Sequence, residues 1–309
     1  MSPAIQAYLD QTAPLAGRAT LWRWLLTGAF VVAGQTAATV AIFYIFAQAS
    51  SLATGAPLGQ SLAQIAGMGS PLSLVAILLT FSGFILGIML GLRLLHRSRL
   101  GPILSRKGGF AWREFFHVSA LFLALGIGAV GISHVFQDYN RNLSLGVWLF
   151  WLAPALVATF VQVFAEELVF RGYLQSQLAA RFRSPLIWIG GPAVIFGALH
   201  LPNAAAFGAN GWLVLLAPML IGVIAGHVTA RTGGIAAATG IHFANNCLGL
   251  LIVAVPGPFG ALSLWLHPID LSDIATVRPM ILLNIGLILA AYGVYLLLIR
   301  RRDARLQPR

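Results

Sequence analysis

Long apolar runs separated by short polar intervals organise the whole chain. A helix crossing the hydrocarbon core of a bilayer needs about 20 mostly apolar residues. Runs of this kind lie at roughly 24–48, 72–95, 115–135, 145–165, 185–200, 212–229, 235–255 and 280–298. The fifth and sixth are short, and the helical pattern of the fourth continues past its apolar part. The pattern predicts an all-α, polytopic membrane protein with about eight transmembrane helices.

The polar intervals alternate in charge. Arg18 and Arg23 precede the first run, and the interval 49–70 after it carries no charged residue. Arg97, Arg99, Arg106, Lys107 and Arg113 follow the second run, and Asp138 and Arg141 follow the third. Arg181 and Arg183 follow the fourth, an uncharged interval follows the fifth, and Arg231 follows the sixth. Asp270, Asp273 and Arg278 precede the last run, with Arg300, Arg301, Arg302, Arg305 and Arg309 beyond it. Counting Arg93 and Arg171 with their nearest intervals, every basic residue except Arg141 and Arg278 falls on one side. By the positive-inside rule both termini are then cytoplasmic.

Composition agrees with this picture and narrows it. Only 9% of the 309 residues are charged and 59% are hydrophobic, where soluble domains are roughly one quarter charged. Mean hydropathy is +0.86. Soluble, disordered and disulfide-built classes are excluded. The net charge of +11 comes from clusters between apolar runs, so it reports topology and contact with membrane lipid, not a nucleic-acid partner. A single cysteine, Cys247, cannot form an intrachain disulfide. The first 17 residues lack a basic start and include Asp10, so the first run is expected to stay as a span and not to be cleaved as a signal. No internal repeat of the kind that marks many transporters is visible, and no interval is long enough for a soluble domain. Lys107 is the only lysine among 19 basic residues, the bias of a GC-rich bacterial genome, which suggests a bacterial cytoplasmic membrane.

Ionisable groups inside a membrane segment are costly and point to function. Six of the 8 acidic residues lie in intervals or tails; the other two, Glu166 and Glu167, are adjacent at the end of the fourth run. Glu167 and Arg171 stand at i and i+4 with the carboxylate N-terminal, the favourable order for an ion pair. Glu166 is rotated from Glu167 by about 100° around the helix and has no local cation, which suits a carboxylate to proton transfer. The plainer alternative is that both glutamates cap the cytoplasmic end of the span and meet interfacial water.

Downstream, His200 closes an apolar run with Phe196 one turn before it. His242 lies within the seventh run with Asn246 at i+4 and Asn245 at i+3. A lone membrane histidine often only bonds a neighbouring helix. An unpaired Glu, two His and an Asn together offer a base, imidazoles for orientation and an amide donor for a developing oxyanion. Gln162, one turn before Glu166, has the reach to bond within such a site. His227 fits a helix-contact role, His96 and His117 flank a basic loop, and His134 and His267 sit at outer ends. Tyr173 and Gln175 fit interfacial positions, and Cys247 fits packing.

Glu166-Glu167-x-x-x-Arg171, Phe196-x-x-x-His200 and His242-x-x-x-Asn246 resemble, in order and spacing, the three motifs of the CAAX-protease and bacteriocin-processing (CPBP, or Abi) family, which includes type II CAAX prenyl endopeptidases. Arg231-Thr-Gly-Gly is similar to that family's lead-in to the third motif. The resemblance covers 145–255 and implies a catalytic membrane core there. It leaves 1–144 as three spans without a motif, and 256–309 as a last span with a basic tail. It implies that Glu166 activates a hydrolytic water held with His200 and His242, and that Asn246 stabilises the oxyanion. Glu167, Arg171 and Phe196 would support the site. The implied substrate is a membrane-associated peptide or protein, prenylated or not, cut in the cytoplasmic half of the membrane. No metal is favoured, because the His-Glu-x-x-His helix of common zinc proteases is absent and two His, one Glu and an Asn amide would make an unusual site; zinc on Glu166, His200 and His242 is the alternative. The sequence leaves oligomeric state open. Two other readings stand beside this one: a non-proteolytic scaffold or bacteriocin-immunity protein, and a proton-coupled transporter.

Overall fold

The computed structural model describes residues 3–271 and 273–306. Its helices are α1 (Pro3–Thr12), α2 (Leu21–Thr54), α3 (Leu58–Ala66), α4 (Pro71–Thr80), α5 (Ser82–Leu94), α6 (Gly101–Leu104) and α7 (Trp112–Phe136). There follow α8 (Leu145–Glu167), α9 (Gln175–Ala179), α10 (Gly191–Ala198), α11 (Leu201–Ala204), α12 (Gly211–Thr232), α13 (Ala236–Cys247) and α14 (Ile274–Leu306). Among the described residues, six stretches are long and apolar enough to cross a membrane: Leu21–Thr54, Pro71–Leu94, Trp112–Phe136, Leu145–Ala179, Phe207–Thr232 and Ile274–Ile299. Leu186–Ala198 and Ala236–Ile252 are shorter apolar helices.

These eight segments fall on the eight apolar runs, with two differences. The sixth is not short, because helical turns from Phe207 onward extend it backward to 26 residues. The seventh joins the fifth in being short: α13 passes at Leu248–Ile252 into a π-helical turn and ends in an extended strand. The fourth does continue, as anticipated, through a π-helical segment Leu168–Leu174 into α9.

Helices in lipid gain little from the hydrophobic effect against one another, so they depend on close backbone approach. The packing of α2 on α5 shows this. Gly83, Gly87 and Gly91 recur every fourth residue along α5, and a Cβ on Gly83 would lie 2.6 Å from the Cα of Gln35. Alanine-rich α13 does the same on α7: a Cβ on Gly240 would come within 2.9 Å of the Phe115 carbonyl oxygen. With Ala236, Ala237, Ala238 and Ala244 all buried, α13 lies at the centre, packed on α7, α8 and α12.

Local signals set the ends. Ser70 caps α4 by accepting the Ser73 amide at 3.2 Å, with Pro71 at the first helical position, where its missing N–H costs nothing. α2 and α12 stop at Gly55 (φ 73°) and Gly233 (φ 77°), left-handed positions that glycine takes without strain. Asp273 opens α14, its carboxylate accepting the Ala275 amide at 3.0 Å and the Thr276 hydroxyl at 2.6 Å.

Two features lay outside the helical pattern. Short strands β1 (Asn140–Arg141), β2 (Val253–Ala254) and β3 (Trp265–Leu266) form a small sheet in the order β1-β3-β2, antiparallel then parallel. It ties the connection after α7 to the one after α13. At the N-terminus, α1 folds back against α12 and α9 and buries Tyr8 on Trp188, with ring centroids 5.6 Å apart.

Candidate active site

The three motifs come from different helices and meet around one imidazole. α8 delivers Gln162, Glu166 and Glu167; α10 delivers Phe196 and, just past its end, His200; α13 delivers His242 and Asn246. Gln162, Glu166, Glu167, Arg171, Phe196 and His242 are all buried, whereas His200 and Asn246 are half-buried.

The two glutamates occupy different surroundings. Glu167, wholly enclosed, accepts from Arg171 Nη1 at 2.9 Å and from His242 Nδ1 at 2.8 Å on the same oxygen. The i,i+4 ion pair expected from the sequence is present, and the contact to His242 is an addition. An ionised carboxylate only accepts, so His242 carries its proton on Nδ1 in this contact. The other nitrogen, Nε2, then points at Glu166, whose Oε2 lies 3.5 Å away. That oxygen is buried and makes no hydrogen bond within the protein. Adjacent residues in one helix thus give one carboxylate held by Arg171 and His242 Nδ1 and one turned toward the Nε2 edge of the same imidazole.

Phe196 explains how the remaining groups are spaced. Its ring lies under the Arg171 guanidinium, 4.7 Å from Cζ to centroid, and meets His242 edge-on at 5.6 Å and 88°. His200 sits 5.0 Å from the same ring, and its Nδ1 is engaged by the Phe196 carbonyl oxygen at 2.8 Å. Its other nitrogen remains free of that bond, and His200 is near enough to act electrostatically on Glu166. The run-in to α10 is irregular: Leu186–Gly190 is π-helical, followed by Gly191 and Pro192. The fifth run thus stays helical from Leu186 to Ala198 but with a π turn in it, and such turns cluster at functional sites. α10 also approaches α12 closely, since a Cβ on Gly222 would lie 2.9 Å from the Ala193 Cα and 3.4 Å from Arg171 Nη2. The missing side chain makes room for the buried guanidinium.

On the far side of Glu166, Asn246 Nδ2 donates to Gln162 Oε1 at 2.9 Å, and Asn245 Nδ2 donates to Asn246 Oδ1 at 3.3 Å. All seven residues singled out from the motifs therefore lie in one cluster. Gln162 joins them as a member whose only sequence signal is its place one turn before Glu166.

Several polar residues outside the motifs lie deeper than their sequence positions suggested. Tyr173, expected at the interface, is buried and hydrogen-bonded to His96 Nε2 at 2.9 Å, and His96 is itself buried. Desolvation, with Arg23 and Arg18 adding repulsion, lowers the His96 pKa below its ordinary value. Gln175 is buried too, its Nε2 donating to the Gly226 carbonyl at 2.9 Å and so fastening α9 to α12. His227 is the helix-contact residue anticipated, bonded to Tyr292 of α14.

A zinc ion would call on Glu166, His200 and His242. Both imidazoles have Nδ1 engaged, which leaves Nε2 as the nitrogen to ligate. Among the described residues, however, no group of three His, Cys, Asp or Glu side chains is arranged to hold a metal ion. As placed, the donors suit zinc in kind but not in convergence, and no step below passes through a metal.

Comparison with known proteins agrees with the motifs. Residues 146–248 match the family model of Rce1-like type II CAAX prenyl endopeptidases, and that stretch contains all three motifs. The chain is similar to the uncharacterized protein YyaK of Bacillus subtilis (strain 168), at 27% identity over 246 residues covering 75% of this chain and 78% of that protein. No solved structure matches. The similarity supports a CAAX-type protease at the level of the family, in a protein built of membrane-spanning helices.

Proposed function

We propose that this chain is an intramembrane endopeptidase that hydrolyses a peptide bond of a membrane-associated substrate with a water activated by Glu166. The observation that carries the reading is the contrast between the glutamates: Glu167 is tied through Oε1 to both Arg171 and His242 and keeps only its Oε2 unbonded, whereas Glu166 turns its unbonded, buried Oε2 toward His242 Nε2, 3.5 Å away. A carboxylate and an imidazole acceptor side by side are what a water molecule needs to be oriented and deprotonated.

In this reading Glu166 takes a proton as the water oxygen bonds to the substrate carbonyl carbon. His242 and His200 hold that water, and Glu167 fixes the His242 proton on Nδ1 so that Nε2 faces the reaction. The Asn246 amide donates to the oxyanion. When the C–N bond breaks, the proton on Glu166 passes to the leaving nitrogen, and the products are a carboxylic acid and an amine, between which the acid proton then moves to give carboxylate and ammonium. The balance closes without a cofactor. The family match favours a substrate with a prenylated cysteine near its C-terminus, and the basic residues on one side favour a site toward the cytoplasmic half of the membrane.

Comparing the membrane proteomes of cells carrying the wild type and Glu166→Ala tests the activity. An uncut membrane-associated protein should accumulate only with Glu166→Ala. An unchanged proteome and phenotype would favour the scaffold reading, and proton flux without a cleavage product would favour transport. Purified enzyme should stay active after exhaustive chelation. Reversible loss restored by zinc would move the mechanism to a Glu166, His200 and His242 metal site.

A further inference from the structure

Asparagine and glutamine side chains have two unlike ends, so a site that needs an amide N–H inward must hold the amide the right way round. Three amides form a continuous chain beside Glu166. Asn245 Nδ2 donates to Asn246 Oδ1, and Asn246 Nδ2 donates to Gln162 Oε1. Gln162, buried at 6% exposure, stands one helical turn before Glu166 on α8. With its Oε1 accepting from Asn246, a flip of Gln162 would set N–H against N–H at that contact.

We propose that Gln162 is a positioning residue that holds the Asn246 amide from the helix that carries Glu166, so that the oxyanion donor stays aimed into the site. The inference rests on the endopeptidase reading of Glu166 and Asn246 and adds to it a part the three motifs do not contain. One Asn246 N–H is spent on Gln162. The second stays available to a substrate oxygen, and its direction is set from both ends of the amide. Asn245 secures the oxygen end, through a longer bond than the one to Gln162.

The experiment uses Gln162→Met, of similar length but without either hydrogen-bonding end, on full-length protein in proteoliposomes. The probe is an internally quenched farnesylated peptide with a CAAX-type C-terminus. Turnover should fall about 10-fold or more with KM within about 2-fold, since the substrate is bound but the donor is misdirected. The double variant with Asn246→Ala should be no slower than Asn246→Ala alone, because the two residues act as one unit. Wild-type turnover in Gln162→Met, or losses that multiply in the double variant, would overturn the coupling. Glu166→Gln run alongside separates the failures. A dead Glu166→Gln with a fully active Gln162→Met removes the coupling alone, whereas an active Glu166→Gln removes the endopeptidase reading as well. A second measurement needs no substrate: thermal midpoints of the same single and double variants. Non-additive shifts support the hydrogen bond between the two side chains, and fully additive ones refute it.

Discussion

Exchanging each adjacent glutamate for glutamine should produce opposite outcomes, although the chemical change is the same. In Glu167→Gln the Arg171 guanidinium, only 2% exposed, loses its carboxylate partner at 2.9 Å, and His242 loses a charged acceptor at 2.8 Å. Removing one partner of a buried pair costs about 3–5 kcal/mol because it strands the other charge. Native proteins hold only about 5–15 kcal/mol in total, so abundance in the membrane should fall visibly. The melting midpoint of detergent-purified protein should drop by roughly 10 °C. In Glu166→Gln an amide replaces a carboxylate whose Oε2 has no hydrogen bond to begin with, so stability should hold within about 1 kcal/mol or rise, while cleavage is lost. The two variants are compared by melting, by abundance in isolated membranes and by cleavage of a farnesylated peptide. A third variant checks the cause: Glu167→Leu with Arg171→Met removes the stranded charge and should melt higher than Glu167→Gln, because apolar replacement of a whole buried pair is often neutral. The reasoning fails if Glu167→Gln melts within about 1 °C of wild type, or if Glu166→Gln falls as far as Glu167→Gln.

Three further outcomes follow from the same structure. Asn246→Ala should cut turnover by about 10²–10³ with little change in peptide binding, and Asn245→Ala should cut it less; the reverse order, measured with abundance intact, would transfer the donor role to Asn245. A reporter fused after Arg309 should be active only in its cytoplasmic form, and periplasmic activity there would invert the topology drawn from the arginine distribution. Burial holds the His96 pKa below its ordinary value, so the unfolded chain binds the extra proton. Stability should therefore be full above about pH 6.5 and decline as pH falls below it; His96→Gln should flatten that decline in melting curves recorded across pH 5–8.

The sequence alone determined the class of molecule, because apolar length and arginine placement are local quantities. All eight apolar runs are helical, and two fall short of spanning length: Leu186–Ala198, which ends at the turn Leu199–His200, and Ala236–Ile252, which the strand Val253–Ala254 ends. The Glu167–Arg171 pair was legible for the same reason, since four residues along a helix always bring two side chains to one face. Glu166, His200, His242 and Asn246 could be grouped by their chemistry as costly polar groups in apolar runs, and then by the order of the motifs, but nothing in the spacing between the three runs says that their helices touch. Only the tertiary structure decided what each group faces. It set Glu167 against His242 across 75 residues and Asn246 against Gln162 across 84. It also buried His96 and Tyr173 together, although both look interfacial in the chain. The physical reason is that helix rotation and depth are fixed by where glycine and alanine let backbones approach, as Gly222 does beside Arg171 and Gly240 beside Phe115. A small residue marks where two helices can meet, but which helix meets it is a property of the whole bundle.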